Sequence, residues 1–147
     1  MFTIPAARLV HGPVFAIDID PNMVSACIAK ARVAGLDNVI IEQRDFLTHG
    51  CGRPDQSVDY AMLFNILHLE TPIELLREAY RVLVPGGKLG IIHWKYDSQA
   101  PRGPSLPIRP RSEQCREWGE QAGFEFCRYQ ELCCCSWHYG LVMKRPE

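Results

Sequence analysis

The sequence predicts an α/β domain, a mostly parallel sheet with helices on both faces and a C-terminal antiparallel hairpin. Three observations predict it. Short apolar runs that read as buried strands alternate with stretches of helical period, the pattern of a parallel sheet whose crossovers are helices. The first two of these runs end on acids, Asp18 and Asp45. The last two extended runs are separated by too few residues for a crossover, so they pair antiparallel.

Residues 4–10 carry Pro5 at a first-turn position and apolar Ala6, Ala7, Leu9 and Val10, which reads as the last turns of a helix stopped by Gly12 and Pro13. Val14-Phe-Ala-Ile-Asp-Ile-Asp20 follows, apolar residues and then carboxylates before Pro21, a buried parallel strand with an acid at its carboxyl end. Ligands of open α/β sheets sit at that end, and an acid there can accept both hydroxyls of a ribose. Asp18 is therefore a candidate ligand residue, or, with Asp20, simply a cap of the next helix. That helix repeats Met23, Val24, Cys27, Ile28, Ala31 and Ala34 and stops at Gly35.

A second strand spans 38–45, and 46–57 reads as a loop. A third strand, 58–64, runs into Asn65. Thr71-Pro-Ile-Glu74 reads as a capping box opening a helix through Leu83. Pro85-Gly86-Gly87 ends it, and residues 88–93 form a fourth strand. Residues 96–111, with four prolines and three arginines, predict an irregular segment across the carboxyl ends of the strands. Ser112 caps a helix closed by Gly123, and 124–131 and 137–143 make the hairpin at an edge of the sheet.

At 147 residues, 47% hydrophobic and 22% charged, the chain has the size and composition of one globular domain. A net charge of -1 gives no general attraction to nucleic acid or to an acidic membrane, and no run is apolar enough to span one. Seven cysteines, an odd and scattered set, fit a reducing compartment, so a cytoplasmic location is expected.

The order of elements resembles the class I S-adenosylmethionine-dependent methyltransferases, especially their small-molecule branch. The resemblance rests on Val14-Phe-Ala-Ile-Asp-Ile-Asp-Pro-Asn-Met23, Gly35-Leu-Asp-Asn-Val39, Arg44-Asp45-Phe46 and Ser57-Val-Asp-Tyr60. It continues through Leu67-His-Leu69, Glu78-Ala-Tyr-Arg-Val-Leu-Val-Pro-Gly-Gly-Lys88 and His138-Tyr-Gly-Leu-Val142. It implies a Rossmann-like fold, S-adenosylmethionine as cofactor and methyl transfer to a small-molecule acceptor. By position it implies that Asp18 binds the ribose hydroxyls, that Ile19 packs on adenine and that Asp45 accepts from the adenine amine beside the Phe46 amide. Asn65 would border the methionine portion and the substrate.

The family also carries a first strand and a glycine-rich turn, and this sequence resembles the family only from the helix beyond them, with Met1 inside that helix. Residues 1–147 are thus expected to form a single incomplete domain, N-terminally truncated relative to the family. The absent strand would leave apolar edges on the Asp18 and Val58 strands, closed by direct pairing or by a homodimer. Two other readings stand beside methyl transfer: a non-catalytic remnant serving as a dimerising domain, and an NAD-dependent oxidoreductase, which also uses an acid after its second strand.

His68 and His93 lie near strand ends, where a general base or a hydrogen-bonded pocket histidine would sit. Trp94 would line a substrate pocket or cap the core. Arg102, with Arg109 and Arg111, would meet an anionic substrate group or form a solvated stretch balanced by Glu113, Glu117 and Glu120. Cys133-Cys134-Cys135 lacks the paired spacing of a zinc site, and no metal is expected.

Overall fold

The computed structural model describes residues 2–133 and 135–147. Met1, expected within the first helix, and Cys134, the centre of the cysteine triplet, lie outside the described residues. The chain forms two compact units, Met1–Gly52 and Arg53–Glu147.

In the first unit, helix α1 (Thr3–Leu9) leads into β1 (Val14–Asp18), α2 (Pro21–Val33), β2 (Val39–Gln43) and α3 (Phe46–His49). β1 and β2 pair in parallel, with Val14 opposite Val39 and Asp18 opposite Gln43. α2 starts where expected, because the Asp20 carboxylate accepts the Asn22 amide at 2.8 Å and Pro21 needs no donor partner at the first helical position. It stops at Gly35, whose φ of 63° is the left-handed geometry of a C-terminal glycine. Asn38 ties the end of α1 to the sheet by donating to the carbonyls of Ala7, Val10 and Gly12. Residues 46–49, expected as loop, are instead one helical turn: Asp45 caps them, and four residues are too few to show a period.

In the second unit, β3 (Val58–Phe64), α4 (Pro72–Val82), β4 (Leu83–Trp94), a 3₁₀ turn (Leu106–Ile108), α5 (Ser112–Gln121), β5 (Glu125–Gln130) and β6 (His138–Lys144) follow in order. The sheet order is β3-β4-β6-β5, with β3 parallel to β4 and the hairpin strands antiparallel to their neighbours. The hairpin thus places β5 at the edge and β6 inside. β1 is laddered to β2 and β3 to β4, so direct pairing of the Asp18 and Val58 strands is not among the ladders of the described residues.

Three local expectations are corrected. Thr71 and Glu74 form no capping box: the Thr71 side chain caps nothing, and its backbone carbonyl takes the Glu74 amide at 3.2 Å. Strand β4 begins at Leu83, before Pro85-Gly86-Gly87, which form an excursion between the Val58–Leu83 and Tyr60–Lys88 pairs. The α5 cap is Arg111, whose amide is accepted by Gln114 Oε1 at 2.9 Å, and Ser112 is already helical.

The large fully buried side chains among the described residues lie in the second unit, among them Leu76, Leu83, Leu89, Ile91, Leu141 and Met143. α4 buries Leu75, Leu76, Ala79 and Val82 along one stripe, as an amphipathic helix on a sheet must. Arg145 closes its C-terminus by donating to the carbonyls of Tyr80, Arg81 and Leu83, where a cation also suits the helix dipole. No helix of the described residues is long and apolar enough to cross a membrane.

Candidate functional site

In the first unit the parallel register of β1 and β2 carries Asp18 and Asp45 to the same, carboxyl-terminal end of one strand pair. Asp18 closes β1 opposite Gln43, and Asp45 stands just past the end of β2. The structure separates the roles of the two early acids. Asp20 caps α2, whereas Asp18 Oδ1 accepts the Asp20 amide at 3.0 Å and bonds no helical amide. Its second oxygen has no hydrogen bond among the described residues. Ile19 follows with 58% of its surface exposed, an apolar side chain left in solvent beside an acid.

Asp45 is more committed. Its Oδ1 accepts the amides of Leu47 and Thr48, and its Oδ2 accepts the Thr48 hydroxyl at 2.6 Å. Those Thr48 and Leu47 bonds hold its carboxyl below the usual range, so it is ionised at neutral pH. A carboxylate oxygen has two lone pairs, and Oδ2 keeps one for another donor. The Phe46 amide, first in its helix, has no intrahelical acceptor.

In the second unit Asn65 stands just past the end of β3 with φ of 58°, an uncommon backbone for a residue with a side chain. Its amide donates to Ile92 O at 2.7 Å, while its Oδ1 is buried without a hydrogen-bond partner among the described residues. A buried orphan acceptor at a strand's carboxyl end is costly unless something else satisfies it.

His68 and His93 meet: His68 Nδ1 and His93 Nε2 are 3.3 Å apart, with the rings edge to face. His93 has no exposed surface, and burial pushes its pKa down to about 4. Burial also lowers that of His68. Trp94 packs against His138 at 4.1 Å between ring centroids, and a side chain on Gly103 would sit 2.8 Å from the Trp94 ring, so the irregular segment crosses it closely.

Arg102 is exposed in that segment, and its carbonyl serves Arg109. Sequence reasoning missed what Arg109 does. It is 7% exposed, and its guanidinium donates to the carbonyls of Lys95, Asp97, Arg102 and Pro104. All five donors are used within the loop, so Arg109 folds the segment and has none to spare for a substrate anion. Arg111 lies over the Tyr96 ring. The meeting of His68 with His93 was open to sequence reasoning, since both follow or end adjacent parallel strands; the burial of Arg109 carried no sequence signal. Among the described residues no group of three or more His, Cys, Asp or Glu side chains is placed to hold a metal ion.

Comparison with known proteins gives this geometry a family. The family described as "Methyltransferase domain" matches residues 1–87, and the chain belongs to it. It is a class I S-adenosylmethionine-dependent methyltransferase fold, Rossmann-like, as the resemblance implied. The demethylmenaquinone methyltransferase of Listeria welshimeri is 36% identical over 87 residues, covering 56% of this chain and 34% of that protein. The chain therefore spans only 34% of the length of the curated relatives it matches. Among solved structures, a SAM-dependent methyltransferase from Aquifex aeolicus superposes with a TM-score of 0.84 at 27% identity, over 96% of this chain and 74% of that one. The [4+2]-cyclase SpnF superposes at 0.81 with 20% identity, over 97% of this chain and 69% of its own, a likeness of fold alone. One scaffold thus hosts different chemistries, and the site must carry the functional argument.

Proposed function

We propose that this chain binds S-adenosylmethionine and takes part in methyl transfer to a small-molecule acceptor. The observation that carries the reading is the pair of carboxylates, Asp18 and Asp45, at one end of a parallel strand pair with exposed Ile19 beside them. The residues fit the cofactor's nucleoside. Asp18 offers an oxygen for the ribose hydroxyls, Ile19 an apolar surface for the ring, Asp45 Oδ2 a lone pair for the amine, and the Phe46 amide a donor. When bound, the sulfonium supplies an electrophilic methyl carbon whose bonding pair departs with the sulfur.

The reading extends to a cytoplasmic protein, supported by an odd, scattered set of seven cysteines, of which Cys27, Cys115, Cys127 and Cys135 are free thiols among the described residues. It also extends to a homodimer, supported by β1 and β3 each standing at the end of its own sheet order. Isothermal titration of the full chain with S-adenosylhomocysteine tests the central claim. Saturable binding is expected, weakened about tenfold or more in Asp18→Ala, because a hydrogen bond to a charged group contributes about 1.5–3 kcal/mol. No saturable binding, or equal affinity in the variant, would overturn it.

A further inference from the structure

We propose that His68 is a general base, that His93 is its positioning residue, and that the acceptor it serves presents a phenolic or enolic hydroxyl. This rests on the methyl-transfer reading above and goes beyond it, since a sulfonium donor needs no base when the acceptor is already nucleophilic.

The tautomers follow from the acceptors. His93 Nδ1 faces the Trp94 carbonyl at 3.5 Å, and a carbonyl oxygen only accepts, so Nδ1 carries the proton of the neutral ring. Its Nε2 is then a lone pair, and the atom facing it at 3.3 Å, His68 Nδ1, must be the donor. That leaves His68 Nε2 as a lone pair with no hydrogen bond among the described residues. His68 is partly exposed and lies three residues beyond Asn65, past the carboxyl end of β3. A buried imidazole orienting a second, accessible one is the arrangement in which a base is held in its working tautomer.

The other groups facing the pair favour the neutral state. Arg109 and His138 act on His93 electrostatically, both against its protonation, and the Tyr139 ring stands 6.3 Å from it. The Tyr139 hydroxyl is turned away, donating to Pro110 O at 3.0 Å, and the Cys115 thiol sits against that hydroxyl. A neutral His68 is available at physiological pH, and a buried cation at Arg109 disfavours an ammonium acceptor. An alkyl alcohol is too weak an acid for an imidazole of lowered basicity, whereas a phenol or enol matches it.

The step balances simply. The acceptor O–H bond breaks, its proton passes to His68 Nε2, and its electron pair stays on oxygen, which becomes the nucleophile. The imidazolium still donates Nδ1–H to His93, and water later takes the proton from Nε2.

Long-range ¹H–¹⁵N spectra of the labelled full chain, without cofactor, read the tautomers directly. The expected result is Nδ1–H on both rings, a His68 midpoint below 6.5, and a changed His68 tautomer ratio in His93→Leu but not in His93→Gln, whose carbonyl can still accept. Nε2–H on His68, or a His68 ring indifferent to both variants, overturns the proposal. His68→Gln alters a partly exposed position and keeps the fold even where a change at buried His93 does not. With S-adenosylmethionine and catechol as acceptor probe, it should lose about 10²–10⁴-fold in kcat at unchanged cofactor affinity. Unchanged turnover with cofactor bound, or cofactor binding without any wild-type turnover of catechol, overturns this inference and leaves the cofactor reading standing. Absence of cofactor binding overturns that reading instead, and the tautomers still judge the histidine pair.

Discussion

The two units of this chain divide the work unequally. The second buries Leu67, Leu76, Leu89, Ile91, Leu141 and Met143 between a four-stranded sheet and its helices. Among its described residues the first buries only small ones, Ala7, Cys27 and Ala31, and leaves Leu9 85% and Val33 90% exposed. Yet the first holds the two carboxylates that suit a nucleoside. Large-side-chain burial among the described residues lies in one unit and the strand-end carboxylates proposed for the nucleoside in the other, as expected where binding groups stand at strand ends and packing is done elsewhere.

The sharpest way to break this contrast is a truncation on each side. Leu76→Ala should cost about 2–5 kcal/mol in chemical denaturation, because a fully buried leucine leaves a cavity. Ile28→Ala on half-exposed α2 should cost under about 1 kcal/mol. Equal costs would show that the units share one core.

Acid should distinguish the units next. His93 titrates at about 4 in the folded second unit against 6.5 when free, so the unfolded chain binds more protons between those values. The stability tied to neutral His93 is complete above pH 6.5 and is lost as pH falls through that window, by about 3 kcal/mol in full. Thermal melts from pH 7 to 4 should therefore fall less steeply in His93→Gln than in the wild type. Parallel slopes would remove His93 as the acid-sensitive element.

The smallest effect belongs to the first unit. Asp45→Ala removes the cap of α3, read as faster hydrogen exchange over 46–49 with the second unit unaffected. Transmission of that loss to β4 amides would contradict the division.

Much of the fold was legible because it rests on local chemistry. Pro21 after Asp20, Gly35 at the end of α2, and the apolar runs of β1 to β4 each reflect a backbone constraint that neighbouring residues impose. The misreadings came where two local signals competed. Thr71 and Glu74 have the residue types of a capping box, but the backbone carbonyl took the amide first. Pro85-Gly86-Gly87 reads as a stop, yet the strand had already begun at Leu83 because its partner Val58 was in register with it.

The candidate site was legible only in part, for the same reason. Acids at strand ends show in the pattern, so Asp18 and Asp45 could be named from residue order. Nothing in residue order distinguishes Arg109 from Arg102, although one is buried on four loop carbonyls and the other is exposed. That choice belongs to the path of residues 96–111 over Trp94.

By itself the sequence determined most of the strands and helices, their parallel alternation, and the acids at the ends of β1 and β2, since each depends on residues close along the chain. Tertiary structure alone decided the ring geometry that brings His68 Nδ1 to His93 Nε2, the burial of Asn65 Oδ1 without a hydrogen-bond partner among the described residues, and the use of Arg109 by its own loop. Hydrogen bonds of that kind join residues far apart in sequence, and burial, which sets their strength and the proton affinity of the groups involved, exists only once the chain has packed.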